Sequence, residues 1–361
     1  MEMDKSRFEQ IKLLLKERNE PEYRFKQIME AIFKQRVDDF EKITTIPKSL
    51  RMVLKEKFGE ILSLKPIKEQ KDEKVLKVLF ELKDKERIES VLMDYEGEKK
   101  GWQSVCISTQ VGCSLNCVFC ATGKMGFRRN LTVDEIIDQV LYFHLIHLEG
   151  VDIATPSRCE SKRWKIHSVS FMGMGEPLLN PATFAAIKIL TDKEFFGFGQ
   201  RVINVSTVGV VPELRKLIKD FPQINIAFSL HTPFDEQRSE LMPINKKYPI
   251  ETVLNVLDEH ISKNKRKVFL PYIMMKGVND TSAHLAGLTK LIRERKKTAY
   301  LYHVNLIRYN EISGGCNFQP SDRETVEWFK NELTKRRINA TLRQSFGERI
   351  KGACGQLRTS I

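Results

Sequence analysis

The stretch Cys113-Ser114-Leu115-Asn116-Cys117-Val118-Phe119-Cys120 places three cysteines at spacings of four and three residues on one short segment. Three thiolates from one loop can hold three corners of an iron–sulfur cube, which leaves the fourth iron without a protein ligand. An open iron of that kind can take the amino and carboxylate groups of S-adenosylmethionine and pass one electron into its sulfonium. Phe119, between the second and third cysteines, and the Ala121-Thr122-Gly123 that follows fit the same loop. The competing reading is zinc, but a structural zinc site takes four ligands, usually as two pairs. No second Cys-x2-Cys or His-x3-His pair stands elsewhere in the chain. Cys113, Cys117 and Cys120 are therefore read as the ligands of a [4Fe-4S] cluster.

Outward from this loop the chain alternates strand, loop and helix. Strands are expected at 103–108, 167–172, 201–207, 224–230, 267–274 and 301–306, with helices near 132–148, 181–193, 211–219, 249–263, 281–296 and 321–336. Six βα units predict an α/β fold, a parallel sheet curled into a partial (βα)6 TIM-like barrel. The chemically unusual stretches fall at the C-terminal ends of those strands, the rim on which barrel sites are built. They are the cysteine loop, Gly173-Met174-Gly175-Glu176-Pro177, Ser206-Thr207-Val208-Gly209, Ser229-Leu230-His231 and the segment from Asn305 to Asn310. Residues 150–166 interrupt the alternation and read as a surface insert, with Cys159 a free thiol in it.

Ahead of the barrel, residues 1–72 read as a helical accessory domain. Phe8, Ile11, Leu14 and Leu15 share one helix face, and Phe25, Ile28, Ile32 and Phe33 another. Pro21 suits the first turn of the second helix. A third runs from about Ile46 to Phe58 and stops at Gly59. This unit is either an RNA-contacting module or a cap on the barrel. Residues 73–98 read as a β-hairpin extension in which Val78, Phe80 and Leu82 alternate with polar neighbours and Glu89 lies on the return strand. The barrel core then spans 99–348, and 349–361 is a C-terminal segment carrying Cys354.

With 41% hydrophobic residues the chain can bury a large core, and its net charge of +13 points to a polyanionic partner, nucleic acid first. Seven cysteines, three of them claimed by one loop, argue against a secreted disulfide framework. No apolar stretch follows Met1-Glu2-Met3-Asp4-Lys5, and no run approaches the ~18–20 apolar residues of a membrane span, so a cytoplasmic protein is expected. Candidate phosphate contacts are Lys99-Lys100, Arg128-Arg129, Lys162-Arg163, Lys263-Asn264-Lys265-Arg266-Lys267 and Arg336-Arg337, of which Arg128-Arg129 beside the cysteine loop is preferred.

On the rim, Gly173 and Gly175 offer bare backbone for close approach of the methionine end of S-adenosylmethionine, and Glu176 can accept from its ammonium. Ser206, Ser229 and His231, the last reached through Leu230, can hydrogen-bond the carboxylate and ribose, and Asn310 can read the adenine edge. Cys354 lies among small residues in Gly352-Ala353-Cys354-Gly355-Gln356-Leu357, and Cys106 precedes the loop by seven residues. Cys316 reads as a buried or surface thiol without a role.

Taken together, the cysteine loop, Gly173–Pro177, Ser229–His231 and Ala353-Cys354-Gly355-Gln356-Leu357 resemble the RlmN/Cfr family of radical SAM methyltransferases, which modify an adenosine of 23S ribosomal RNA in the peptidyl transferase centre. The resemblance covers nearly the whole chain. Glu20-Pro21-Glu22-Tyr23-Arg24, Ala31-Ile32-Phe33-Lys34-Gln35-Arg36, Leu301 to Asn310 and Phe346-Gly347 are similar to the Cfr branch, which methylates carbon 8. Pro177 is what RlmN proteins carry, and Arg349-Ile350-Lys351-Gly352 replaces the commoner Asp-Ile-Asp-Ala. The alternative is RlmN-type methylation of carbon 2 of the same adenosine, of a tRNA adenosine, or of both.

The resemblance implies two molecules of S-adenosylmethionine per turnover, one as methyl donor to Cys354 and one as radical source. It implies that the methyl on Cys354 is activated and joined to adenine, that Glu89 takes the proton from the attacked carbon, and that Cys106 forms a disulfide with Cys354 to release the product. It further implies antibiotic resistance, an external one-electron reductant such as flavodoxin or ferredoxin, and an RNA substrate met before full ribosome assembly, because the base must be extruded. A monomer is expected. The other classes weighed are a radical SAM activase or maturase, which needs no methyl-carrying cysteine, and a zinc-stabilised RNA-binding module without catalysis.

Overall fold

The computed structural model describes residues 5–95, 102–146, 166–312, 318–343, 347 and 349–358. Cys159, Cys316, Lys99-Lys100, Lys162-Arg163, Phe346 and all of the expected insert but Ile166 lie outside them.

Three helices open the chain. In α1 (Arg7–Glu17) Ser6 and Glu9 form a reciprocal capping box, and Phe8, Ile11, Leu14 and Leu15 are buried. Helix α2 (Tyr23–Phe33) begins two residues after Pro21, and α3 (Lys48–Phe58) ends on Gly59 at φ 71°. Their apolar faces do not form a free-standing core. Phe8 stacks on Phe195 and Phe33 packs edge-on against Phe196. The buried Arg7 guanidinium meets Asp138 at 2.6 Å, while Asp138 also accepts from the Ser63 amide. The helices thus cover one flank of the barrel.

Ten strands form one sheet. Its first part is a meander, β1 (Lys65–Asp72), β2 (Val75–Glu81) and β3 (Arg87–Tyr95), each pair antiparallel. The expected hairpin is therefore the inner two strands of three. Strand β2 is buried on both faces rather than alternating. Phe80 packs edge-on against Tyr142 on one side, whereas Lys77, opposite Val91, faces the other. Strand β3 pairs antiparallel with β4 (Trp102–Cys106), which begins the parallel part.

The chain next makes a small ribbon of β5 (Gln110–Gly112) and β6 (Phe127–Asn130) around a short helix α4 (Ala121–Lys124), then α5 (Val133–Leu145). There follow β7 (Ile166–Phe171), α6 (Ala182–Thr191), β8 (Ile203–Thr207), α7 (Val211–Asp220) and β9 (Asn225–Phe228). After these come α8 (Asp235–Leu241), α9 (Ile250–Asn264), β10 (Val268–Met274), α10 (Ser282–Arg293), β11 (Tyr302–Arg308), α11 (Arg323–Lys335) and β12 (Asn339–Leu342). The sheet order β4-β7-β8-β9-β10-β11-β12 is parallel throughout, so the six expected units hold and a seventh strand is added at the edge. Right-handed crossovers put the helices outside and leave the C-terminal strand ends on one rim.

Candidate functional site

The cysteine loop leaves the sheet after β4 and is closed by the β5–β6 ribbon. Gly112 stands at φ 72°, and a Cβ there would lie 1.7 Å from the Gly126 carbonyl oxygen, so only glycine lets the two strands meet. Asn116 takes the left-handed conformation at φ 49°, which asparagine tolerates, and turns the chain between Cys113 and Cys117. The Cys113 amide donates to Gly126 and the Cys120 amide to Cys117, both through carbonyl oxygens. The thiols of Cys113, Cys117 and Cys120 line one cavity. Burial pushes Cys113 up to about 12 and Cys117 well above its ordinary value, with the neighbouring thiols adding to both. Three thiols on one loop fit three corners of a polynuclear cluster.

The same cavity is lined by Gly173, Gly175, Glu176, Ser206, Ser229 and His231, drawn from the ends of three strands. Ser206 and Ser229 are neighbours across β8 and β9, with hydroxyls 3.3 Å apart. Glu176 bridges two loops by accepting from the Leu178 and Val208 amides, and burial raises it to about 7. His231 holds φ 60°, fixed by the Ile273 amide donating to its Nδ1 and by Asn279 donating to its carbonyl. Burial, then Arg238, push its imidazole down to about 3, so it is neutral and presents Nε2–H. Gly173 has a role the sequence reading did not give it. A Cβ there would sit 2.7 Å from the Ile107 carbonyl, so the glycine lets the β7 end pack onto the β4 end. Leu230 is fully buried and does not line the cavity, to which it contributes only through its neighbours.

A smaller adjoining cavity is lined by Cys106, Cys354, Asn310, Arg343 and Met172. Cys354 and Arg343 belong to both cavities. The segment bearing Cys354 is tied over the cysteine loop. Ala121 N–H donates to Gly355 O at 2.8 Å and Thr122 Oγ1 to Leu357 O at 2.7 Å. Asn310 Nδ2 donates to the Cys354 carbonyl at 3.1 Å, so its amide fixes this segment in the structure. Cys106 and Cys354 are both free thiols. Burial, then the like charge of Cys354, push Cys106 up to about 12, and Arg343 opposes them.

Glu89 is 3% exposed and lies outside both linings. Its carboxylate meets Lys77 Nζ at 3.0 Å and accepts from the Arg358 amide at 2.9 Å. Burial raises it, while Lys77 and the Arg358 amide pull it down.

Three charged residues of the site were not singled out from the sequence. Two are Lys77 and Arg343. The third is Arg238, on the short helix α8 and fully buried. Its guanidinium donates to the carbonyls of Val208, Ser229 and Leu230 and to Asn245 Oδ1, and it lies over the Phe228 ring. It thus pins the ends of β8 and β9, from which Ser206, Ser229 and His231 project. Burial lowers it to about 10. The last residue of α8, Leu241, accepts from the Val118 amide of the cysteine loop. One short helix therefore supports both halves of the cavity.

This geometry has counterparts in known proteins. The sequence matches the Radical SAM superfamily over residues 107–288 and the ribosomal RNA large subunit methyltransferase N-terminal domain over residues 3–59. It is 46% identical to the ribosomal RNA large subunit methyltransferase Cfr of Staphylococcus aureus, covering 98% of this chain and 97% of that protein. The protein of the same name from Clostridium botulinum is 44% identical over 99% and 98%. A crystal structure of a radical SAM methyltransferase from Sphaerobacter thermophilus superposes with a TM-score of 0.87 at 36% identity, covering 98% of each chain. The chain belongs to the radical SAM family of ribosomal RNA large subunit methyltransferases. It is an enzyme, with Cfr proteins among its relatives as the sequence reading expected. Enzymes of this family use a [4Fe-4S] cluster and S-adenosylmethionine. The donor set fits both groups, with three thiols, a carboxylate, two hydroxyls and an imidazole lining one cavity.

For a family that acts on RNA, the basic residues matter. Arg129 is engaged by carboxylates. It forms paired contacts with Asp84 and with Glu135, locking the β2–β3 turn to the start of α5. Arg128 meets Glu86 at 3.3 Å. Arg266 donates to Asn225 Oδ1, and among the described residues no carboxylate pairs with it. No helix of the described residues is long and apolar enough to cross a membrane.

Proposed function

We propose that this enzyme methylates carbon 8 of an adenosine in the peptidyl transferase centre of 23S ribosomal RNA, with Cys354 as methyl carrier. The observation that carries the reading is the placement of Cys354 on the wall shared by two cavities, one holding the three loop cysteines and the other Cys106. Cys113, Cys117 and Cys120 would hold the cluster, and Gly175, Glu176, Ser206, Ser229 and His231 would hold S-adenosylmethionine. When bound, these groups supply one-electron cleavage of a sulfonium and with it a carbon-centred radical.

The chain's own residues do the rest. The Cys354 sulfur accepts a methyl group as a thiolate nucleophile and presents it toward the rim. Asn310 holds the Cys354 backbone in place. Glu89 takes the proton from the attacked carbon, and Lys77 favours the ionised form of that carboxylate against its burial. Cys106 attacks the Cys354 sulfur as the bond from that sulfur to the transferred carbon breaks. That carbon keeps the electron pair and takes a proton to become the methyl group. The Cys106–Cys354 disulfide left behind is reduced by the external electron donor. Aromatic C–H carbons of adenine are too weakly nucleophilic for direct displacement on a sulfonium, which is the physical reason for a carrier. The N-terminal helices, docked on the barrel flank, would contact RNA on their outer faces. The enzyme is placed in the cytoplasm, served by a one-electron donor such as flavodoxin or ferredoxin. It acts on RNA before assembly is complete and confers resistance to antibiotics that bind the modified centre.

The test is mass spectrometry of the 23S fragment around the target adenosine, from a host lacking its own carbon-2 enzyme and expressing this protein. An 8-methyl nucleoside supports the reading. A 2-methyl product alone replaces it with the carbon-2 activity.

A further inference from the structure

Arg343 follows edge strand β12, and its backbone amide donates to Leu306 at 2.8 Å, which turns its side chain over the rim. There it lines the cavity that holds Cys106 and Cys354. Its Nη1 lies 3.7 Å from the Met172 sulfur, and its other side-chain partner is the Tyr95 hydroxyl. Among the described residues no carboxylate pairs with it, in contrast to Arg7, Arg129, Arg215 and Arg295. Arg343 is half-buried, and a guanidinium partly withdrawn from water without a paired anion favours one nearby. The ionisable groups acting on it are Cys354, Tyr95 and Cys106, with Cys354 the strongest. Tyr95 is held neutral by burial. The two thiols remain, and a charge on Cys354 opposes ionisation of Cys106 by like-charge repulsion.

We propose that Arg343 is the shared counter-charge of Cys354 and Cys106, serving one thiolate at a time and thereby ordering the two steps. The proposal rests on the reading of Cys354 as methyl carrier. In the free enzyme the guanidinium faces the Cys354 thiolate. That sulfur forms a bond to the methyl carbon of S-adenosylmethionine while the methyl–sulfonium bond breaks. Its electron pair stays on S-adenosylhomocysteine, and Cys354 becomes a neutral thioether. The guanidinium then has one ionisable thiol left, Cys106, whose proton passes to solvent. A resolving thiolate therefore forms only once the carrier is loaded, which prevents Cys106 from competing for methyl. Arg343 is a positioning residue in this scheme, one cation exchanged between two nucleophiles.

Iodoacetamide labelling of the anaerobic holoenzyme between pH 7 and 9, mapped by peptide mass spectrometry, tests this. Cys354→Met supplies an uncharged thioether that fills the site. Cys106 should label at least fivefold faster in it than in the wild type, and its half-maximal rate should move to lower pH. The gain should vanish in Cys354→Met/Arg343→Met and survive to at least half in Cys354→Met/Arg343→Lys. Equal Cys106 labelling with and without an ionisable Cys354 would overturn the proposal, as would a gain that persists without a cation at 343. The wild-type Cys354 peptide, after incubation with S-adenosylmethionine, is read for an added methyl. Its absence alongside an intact labelling contrast would reject the carrier reading while leaving the charge exchange standing.

Discussion

Lys77 and Glu89 form an ion pair at 3.0 Å with both side chains almost fully buried, and the same two side chains hold the C-terminal segment. Glu89 accepts from the Arg358 amide, and Lys77 reaches the Lys351 carbonyl at 3.4 Å. Glu89, the proposed base, is thus tied to the segment that carries Cys354. Removing one partner of a buried pair leaves the other uncompensated, at about 3–5 kcal/mol. In Lys77→Met the Glu89 carboxyl loses its main ionising neighbour, so its already raised pKa rises further. A base works as carboxylate, so the acid limb of RNA methylation should move to higher pH, with reductive cleavage of S-adenosylmethionine unchanged at each pH. A pH profile of both activities on the same preparation measures this, and an unmoved limb would remove Lys77 from the site.

Arg238 satisfies four acceptors from inside the barrel rim. Arg238→Met leaves the carbonyls of Val208 and Ser229 and the Asn245 amide oxygen unpaired, while the Leu230 carbonyl keeps the Thr232 amide, and each orphaned buried acceptor costs about 1–3 kcal/mol before relaxation. A loss of several kcal/mol should lower Tm by roughly 5–10 °C. Because the orphaned carbonyls belong to Val208 and Ser229, affinity for S-adenosylmethionine should fall by about tenfold or more. Thermal unfolding together with equilibrium dialysis checks both, and destabilisation without loss of affinity would make Arg238 a packing residue only.

The sequence was legible where chemistry is concentrated in short stretches. The parallel strands are apolar runs ending in Gly, Ser or Asn, and the three cysteines fix which rim matters. Residues whose character is inverted by tertiary packing were not legible. Asp235-Glu236-Gln237-Arg238-Ser239-Glu240-Leu241 reads as a solvated turn, yet its arginine is fully buried. Lys77 sits among Val75, Leu76, Val78 and Leu79 as though pointing to water, but the sheet is covered on both faces. Asn339-Ala340-Thr341-Leu342 carries no apolar run because β12 is a half-exposed edge strand. The pairing of Arg128-Arg129 with Asp84, Glu86 and Glu135 was not legible either, since proximity to the cysteine loop says nothing about it.

The two functional thiols separate by which step each variant stops. Cys354→Ala should abolish RNA methylation while S-adenosylmethionine is still cleaved reductively, because the loop cysteines are untouched. Cys106→Ala should accumulate a covalent protein–RNA adduct, because addition proceeds and release does not. Denaturing gels with labelled RNA, run beside an assay for 5′-deoxyadenosine, read both outcomes. Normal turnover by Cys106→Ala would end its resolving role, and methylation by Cys354→Ala would end the carrier role.

Arg129 bridges Asp84 at 2.6 Å and Glu135 at 2.8 Å, and Glu135 also caps α5 by accepting from the Thr132 amide. Its role is to fasten the β2–β3 turn to the helix behind the cysteine loop. Arg129→Gln should therefore act on stability. The exposed Asp84 contact contributes little, while the nearly buried Glu135 contact should bring the loss to about 1–2 kcal/mol, or a few degrees in Tm. RNA affinity should change less than twofold, and its dependence on salt should keep its slope, since no phosphate contact is lost. Arg266→Gln is the contrast, because that guanidinium has no carboxylate partner among the described residues. If it contacts phosphate, its loss should weaken RNA binding and lower the salt slope by about one. Filter binding over a salt series with both variants reads the two slopes. A shallower slope in Arg129→Gln would mean that the arginine leaves its carboxylates for RNA, and the ion-pair reading would then fail.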